Sequence, residues 1–321
     1  MKAPKTLIEA IKYFSDELTC IRAVAQMVWP DGVKCPHCFT ADPYWLETQK
    51  RWKCRQCRKQ FSVKVNTIFE DSPLSLTKWL PALWLLVNCK NGVSSYEISR
   101  DLGISQKSAW FMLQRLRLAL KVRDFSGKKA GDDGSAVEVD ETFIGGKARN
   151  MHVAERKRKI TGTGGKGKAI VMGILERGGK VHTQVIADRL SNTVRPIIKE
   201  RVAAGATLYT DVMRGYFGLD DEFAHEMVNH AVEYVTGRVH TNGMENFWSL
   251  LKRGLNGTYV SVEPFHLFRY LDEQCFRFNN RATEDNPLDD ADRFLLALSQ
   301  VANKRLTFKE VTGKSGSPAT C

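Results

Sequence analysis

A chain of 321 residues with 43% hydrophobic and 26% charged content is long enough for two or three domains, and it excludes a disordered or fibrous composition. The formal net charge of +12 and a pI of about 9.3 point to a polyanionic partner, nucleic acid first among them. The longest apolar run, Trp79–Val87, is broken by Pro81 and falls short of the ~20 residues of a membrane span, and Met1–Leu18 mixes Lys, Glu and Asp through its apolar positions, so a membrane partner and a signal peptide are both excluded. A cytosolic location is expected, where eight cysteines read as metal ligands or buried thiols rather than disulfides.

Residues 1–30 read as a helical lead-in, with Leu7, Ile8, Ile11, Phe14 and Leu18 at helical spacing. Residues 31–69 hold strand-like pieces at Arg51–Lys53 and Gln60–Val65 and the pattern Cys35-x2-Cys38, fifteen residues, Cys54-x2-Cys57. Each pair forms a knuckle that gives two thiolates to one metal, and two knuckles close a tetrahedral Zn2+ site with Zn–S bonds of about 2.3 Å. Four thiolates leave no open coordination position, so one structural Zn2+ is expected. Two chance pairs or a redox dithiol are the alternatives, and the spacing favours zinc. A module this small needs the metal to fold. His37 reads as a turn residue, and Cys20, Cys89 and Cys275 as buried thiols.

Residues 75–123 read as three helices, Leu76–Cys89, Ser95–Leu102 and Ser105–Lys121. Ser94 or Ser95 caps the second, Gly103 makes the turn and Ser105 caps the third. This is a helix-turn-helix-like segment whose last helix would lie in the major groove, with Gln106, Lys107 and Gln114 reaching DNA. An ordinary helical hairpin has the same outline.

Residues 136–282 alternate strands and helices. Ala136–Val139 is a strand. From Lys147 to Lys168 there are eight Lys or Arg and one Glu, the composition of a mobile loop; Lys147, Arg156, Lys157, Arg158 and Lys159 either grip phosphates or face water. Ala169–Leu175 and Val181–Ile186 flank a hairpin turn, Thr193–Ala203 is helical, Thr207–Thr210 is a strand, and Asn242–Leu255 is a helix. Residues 283–321 give a C-terminal helix and a disordered tail.

In this fourth region Glu138 and Asp140 project from one face of their strand, Asp211 ends another, and Glu245 opens a helix opposite its apolar stripe. Two strand-end carboxylates and one helical carboxylate can hold two Mg2+ (or Mn2+) ions about 4 Å apart for in-line attack on a phosphodiester. Each acid alone is ordinarily just solvated; the signal is their order, with Glu245 following Asp211 by 34 residues. Lys252 shares the Glu245 face and, with Arg253, is a DNA-contact candidate. His240 contacts a phosphate or positions water, or else is a satisfied structural histidine. Tyr259, Tyr270 and Phe278 stack bases or pack the core.

The chain resembles the zinc-ribbon DDE transposases of bacterial insertion sequences, the ISXO-like branch. The resemblance covers most of the chain. It is carried by Trp29-Pro30-Asp31-Gly32 before Cys35-Pro36-His37-Cys38, Val139-Asp140-Glu141-Thr142 with Gly145-Gly146-Lys147, Thr210-Asp211, and His240-Thr241-Asn242 with Glu245. Phe247 through Arg253, Gly257-Thr258-Tyr259, Arg269 through Glu273, Phe278-Asn279 and Arg281 continue it. It implies an α/β, RNase H-like catalytic domain with Asp140, Asp211 and Glu245 as metal-binding carboxylates, Glu138 and Glu141 being neighbours. Some relatives carry Asn at the third position; Glu245 keeps the acidic triad whole. The implied activity is binding of element ends on double-stranded DNA, nicking to free a 3′-hydroxyl, and joining to target DNA, by a dimer or larger assembly in the bacterial cytoplasm at the nucleoid. A transposase-derived DNA-binding regulator and a metal-dependent nuclease without strand joining are the rivals.

Overall fold

The computed structural model describes residues 4–121, 128–146, 151–159, 162, 165, 167–228, 240–284 and 286–314. The chain forms two units, Met1–Lys121 with Asn280–Thr320, and Val122–Asn279. The first begins with α1 (Leu7–Tyr13) and α2 (Glu17–Val28), capped by the Thr6 and Asp16 side chains. A three-stranded antiparallel sheet follows, β1 (Tyr44–Leu46), β2 (Arg51–Lys53) and β3 (Gln60–Phe61), paired Trp45↔Trp52 and Trp52↔Phe61. Trp29, Trp52 and Phe61 pack their rings together beside Cys35 and Cys54 as a core of their own.

Three helices come next, α3 (Leu76–Asn88), α4 (Ser95–Leu102) and α5 (Gln106–Ala119). Local chemistry sets their ends. Ser94 and Glu97 form a capping box, Gly103 takes the left-handed conformation at φ 58°, and the Ser105 side chain accepts from the Ser108 amide. α3 and α5 are buried along most of their length, including Trp79, Trp84, Met112, Leu113 and Leu116.

The second unit contains β4 (Val137–Ile144), α6 (Val153–Lys159), β5 (Ala169–Glu176), β6 (Val181–Ile186), α7 (Ser191–Arg201), β7 (Thr207–Asp211), β8 (Ala224–Val228), α8 (Asn242–Arg253) and α9 (Leu267–Asn279). The sheet order is β6-β5-β4-β7-β8. β4, β5 and β6 pair antiparallel, while β7 joins β4, and β8 joins β7, in parallel. This is the RNase H-like mixed sheet. Strand side chains alternate between its faces and build two cores. Val139, Met172 and Ile174 pack with Val194, Ile198 and Tyr216 on one side. On the other, Val171 and Leu175 pack with Met244, Phe247, Trp248, Tyr270 and Phe278. Tyr270 and Phe278 therefore fill the core; Tyr259 packs edge-on against Tyr270 and donates to Glu273.

Three features depart from the sequence expectation. β4 continues to Ile144 because Glu141–Ile144 stay paired with Met172–Ala169. The basic segment expected as a loop contains α6, a run of Lys, Arg, Ala and Glu free of Gly and of Pro. β1 and β8 went unread, the first because it is so short and the second because Ala-His-Glu-Met-Val lacks apolar alternation.

After α9 the chain returns to the first unit. α10 (Asp290–Ser299) carries Phe294 against Phe14 and Trp84. The Ile68 amide then donates to Val301, Thr67 bridges Ala302, and α11 (Phe308–Val311) sets Phe308 against Phe111. The C-terminal helix is thus part of the first unit rather than an appendage. The tail from residue 315 lies outside the described residues.

Candidate active site and metal centre

The two knuckles bring Cys35, Cys38, Cys54 and Cys57 together, with all four Sγ atoms within 4.8 Å of one another. Each knuckle turns by a backbone hydrogen bond that closes over its cysteines, Cys35 N–H to Thr40 and Cys54 N–H to Lys59. The His37 amide donates to the Cys35 sulfur and the Cys57 amide to the Cys54 sulfur, as in thiolate knuckles. The Thr40 hydroxyl lies 3.2 Å from the Cys38 sulfur and holds that thiol down at about 6, while burial and the three neighbouring sulfurs push Cys57 up to about 12. His37 is exposed in the turn, while Cys20 and Cys275 are buried with their thiols pushed up to about 12 by burial. Cys89 is partly buried.

The carboxylates are set by strand register. β4 and β7 pair in parallel as Val137↔Leu208 and Glu138↔Tyr209. Continued at the same offset, Asp140 lies level with Asp211, and neighbours in register point to the same face of a parallel sheet. Hydrogen bonding between the two strands stops at Glu138↔Tyr209, so the acids sit where the strands part. Asp140 feels this crowding. Burial first, then Asp211 and also Glu245, push its carboxyl up to about 6 against opposing hydrogen bonds. Its two oxygens accept from Trp248 Nε1 at 2.9 Å and from the Glu141 amide at 2.8 Å. Each oxygen keeps a lone pair.

Glu245 stands in the first turn of α8, which lies on the same side of the sheet. Two glycines permit this approach. A Cβ at Gly173 would sit 2.2 Å from Met244 Cε and 2.8 Å from Trp248 Cζ2, and one at Gly243 would sit 2.5 Å from Leu175 Cδ2. Glu141 points to the opposite side. It accepts a hydrogen bond from the Tyr216 hydroxyl, and burial pushes its carboxyl up to about 7.

Glu138 is buried at 1% exposure and does not join the acid cluster. It accepts from Arg177 Nε at 2.8 Å and from the Met244 amide at 3.0 Å. His240, read as a phosphate contact, turns its ring to this pair, with Nδ1 2.9 Å from the Arg177 guanidinium. Trp248 and Arg177 went unnoticed as site residues in the sequence. Trp248 reads as one more apolar-stripe position, and Arg177 as part of a hairpin turn.

Of the DNA-contact candidates, Lys252 and Arg253 are exposed at the end of α8, and Arg156, Lys157 and Arg158 on α6, which also carries Lys159. Lys147 lies outside the described residues. Lys107 is exposed beside the Phe308 ring, and Gln106 is partly buried and donates to Ser95. Gln114 is fully buried, which corrects its reading as a groove contact. It falls in the stretch 112–117, where every residue of α5 is buried, whereas the exposed Lys107 lies in its first turn.

No helix among the described residues is long and apolar enough to cross a membrane. Residues 132–279 match the ISXO2-like transposase domain, and residues 15–60 match the transposase zinc-ribbon domain. A Halobacterium salinarum protein described as an uncharacterized protein in transposable element ISH50 is 29% identical over 259 residues, 77% of this chain and 85% of the relative. An uncharacterized transposase-like protein of Haemophilus influenzae is 38% identical over 102 residues, 32% of this chain and 82% of the relative. A thiolate knuckle pair and an RNase H-like sheet thus occur together in one chain, which belongs to the zinc-ribbon, ISXO2-like family of insertion-sequence transposases.

Proposed function

We propose that this chain binds the ends of its element, nicks the DNA to expose a 3′-hydroxyl and joins that hydroxyl to target DNA, using Asp140, Asp211 and Glu245 as metal-binding carboxylates. The observation that carries this reading is Asp140, whose carboxyl is raised by burial first and then by the charges of Asp211 and Glu245. Like charges gathered at the parting of two strands are unfavourable until a cation is held among them. The donors are carboxylate oxygens, a hard set that fits Mg2+ or Mn2+. Bound there, two such ions would supply Lewis-acid activation of water or a 3′-hydroxyl and neutralise charge at the leaving oxygen.

The protein's own part is orientation. Trp248 and the Glu141 amide fix the Asp140 carboxylate by one hydrogen bond to each oxygen. Lys252 and Arg253, with Arg156, Lys157, Arg158 and Lys159, are the basic groups suited to phosphates of double-stranded DNA. The thiolate set is the place for one structural Zn2+. Two element ends must be handled together, so the working form on DNA is a dimer or larger.

The test supplies the zinc-loaded protein in trans to a marker bracketed by the gene's native flanking DNA, followed by sequencing of junctions. New insertions with short target duplications are expected, and Asp211→Asn should abolish them while DNA binding persists. Cut but unjoined ends would make the protein a nuclease. Binding with no cutting would make it a regulator.

A further inference from the structure

Burying a carboxylate is costly, and a buried ion pair is weak evidence for stability, since apolar residues of similar volume often replace one without loss. Glu138 therefore needs a reason beyond stability. Its partners supply one, because they come from different elements. Arg177, in the turn after β5, donates from Nε to Glu138 Oε1 at 2.8 Å and from its terminal nitrogen to the His240 carbonyl at 2.7 Å. The same guanidinium stacks over the Tyr209 ring on β7, 4.4 Å from its centroid. Glu138 Oε2 accepts the Met244 amide, the third residue of α8. That amide is one a helix normally satisfies with its own N-cap side chain, yet Thr241, the N-cap of α8, makes no such bond. A carboxylate from β4 performs the capping instead, and its charge suits the positive end of the helix.

Each contact falls next to a member of the acid set. Glu138 is two residues before Asp140, Tyr209 two before Asp211, and Met244 one before Glu245. We propose that Glu138 and Arg177 are positioning residues that lock the strands of Asp140 and Asp211 and the helix of Glu245 against one another. This rests on reading those three acids as the metal-binding set. Outer contacts that orient ligands typically change metal affinity ~10–100-fold when removed. Arg177 does this with a planar fork that a lysine cannot reproduce.

The test uses full-length, zinc-loaded protein carrying Glu138→Gln, Arg177→Lys or Arg177→Met, with Asp211→Asn as reference. Amide hydrogen exchange over residues 241–246 and Mn2+ affinity by calorimetry are both measured. Glu138→Gln keeps the shape and removes the charge. It should speed exchange in the first turn of α8 about tenfold or more, leave β5 protected, and weaken Mn2+ binding about tenfold or more. Arg177→Met should do the same, and Arg177→Lys should fail to restore either. Unchanged Mn2+ affinity in Glu138→Gln and Arg177→Met would overturn the proposal, and so would faster exchange spread equally through β4 and β5, which is simple destabilisation. Should a variant fail to fold, Arg177→Lys decides, because Arg177 is partly exposed and the substitution keeps its charge. Mn2+ bound equally by wild type and Asp211→Asn would instead remove the metal-site reading, and the localised exchange change alone would then judge the lock.

Discussion

Asp140 shows how a buried carboxyl weakens the fold that carries it. Its carboxyl titrates at about 6 in the folded protein, against 3.8 for an ordinary aspartate. A carboxyl raised in this way disfavours folding once ionised. The penalty is absent below the unfolded value, grows as pH rises from about 4 to 6, and is complete above that. Asp140→Asn keeps an oxygen for the Trp248 N–H, gives up the acceptor of the Glu141 amide, a loss that offsets part of the gain, and removes the charge. It should stabilise the metal-free protein by roughly 1–3 kcal/mol at pH 8 and have little effect at pH 3.5. Thermal denaturation at the two pH values checks this; equal stability of variant and wild type at pH 8 would refute it. At this scale the sequence singles out Asp140, Asp211 and Glu245 as candidates because each stands at the end or start of a recognisable element, and the elements are where the spacing puts them. It could not reveal Glu138 as a helix cap, because its partners Arg177 and Met244 lie 39 and 106 residues away. Gln114 misled for the opposite reason. A polar side chain within a helical pattern reads as surface, and only the packing around α5 shows that it is not.

Among the elements, the cysteine module was the most legible, since a metal site built from two knuckles is written in local spacing. Its core is Trp29, Trp52, Phe61 and the cysteines, too little apolar surface to order three strands of two or three residues. Removing the zinc with a chelator should therefore melt this module. Trypsin would then cut at Arg51, Lys53, Arg55, Arg58 and Lys59, with protection regained on adding Zn2+. Resistance of the metal-free protein would mean that packing alone holds the strands. The helices were legible from their caps, Ser94, Gly103 and Ser105 giving ends to within a residue or two of those observed. Of the two edge strands of the larger sheet, β6 was legible and β8 was not, because β8 carries polar residues that neither alternate nor repeat.

For the whole molecule, sequence order hid the division. The two halves of the first unit are separated by the entire second unit, and composition gives no hint that residues 290–311 belong with residues 4–121. Their contribution is substantial: Ala291, Phe294, Ala297, Leu298, Val301 and Val311 are all buried. A chain ending at Asn280 loses these side chains from the core, where single large-to-small changes already cost about 2–5 kcal/mol. The expected result is an unfolded N-terminal unit beside a folded RNase H-like unit, seen by proteolysis or by hydrogen exchange. Continued protection of α3 and α5 in the truncated protein would show that the returning helix is dispensable.

The returning helix also sets an order of events at birth. Synthesis proceeds at roughly 5–20 residues per second, so about 10–40 s separate the emergence of Lys121 from that of Val311. Within that interval the sheet gains its last strand at Val228 and α9 ends at Asn279, while the unit that begins the chain still lacks α10. A nascent polypeptide thus acquires its RNase H-like unit before its N-terminal unit is whole, and a message cut short late in the gene would yield the former without the latter.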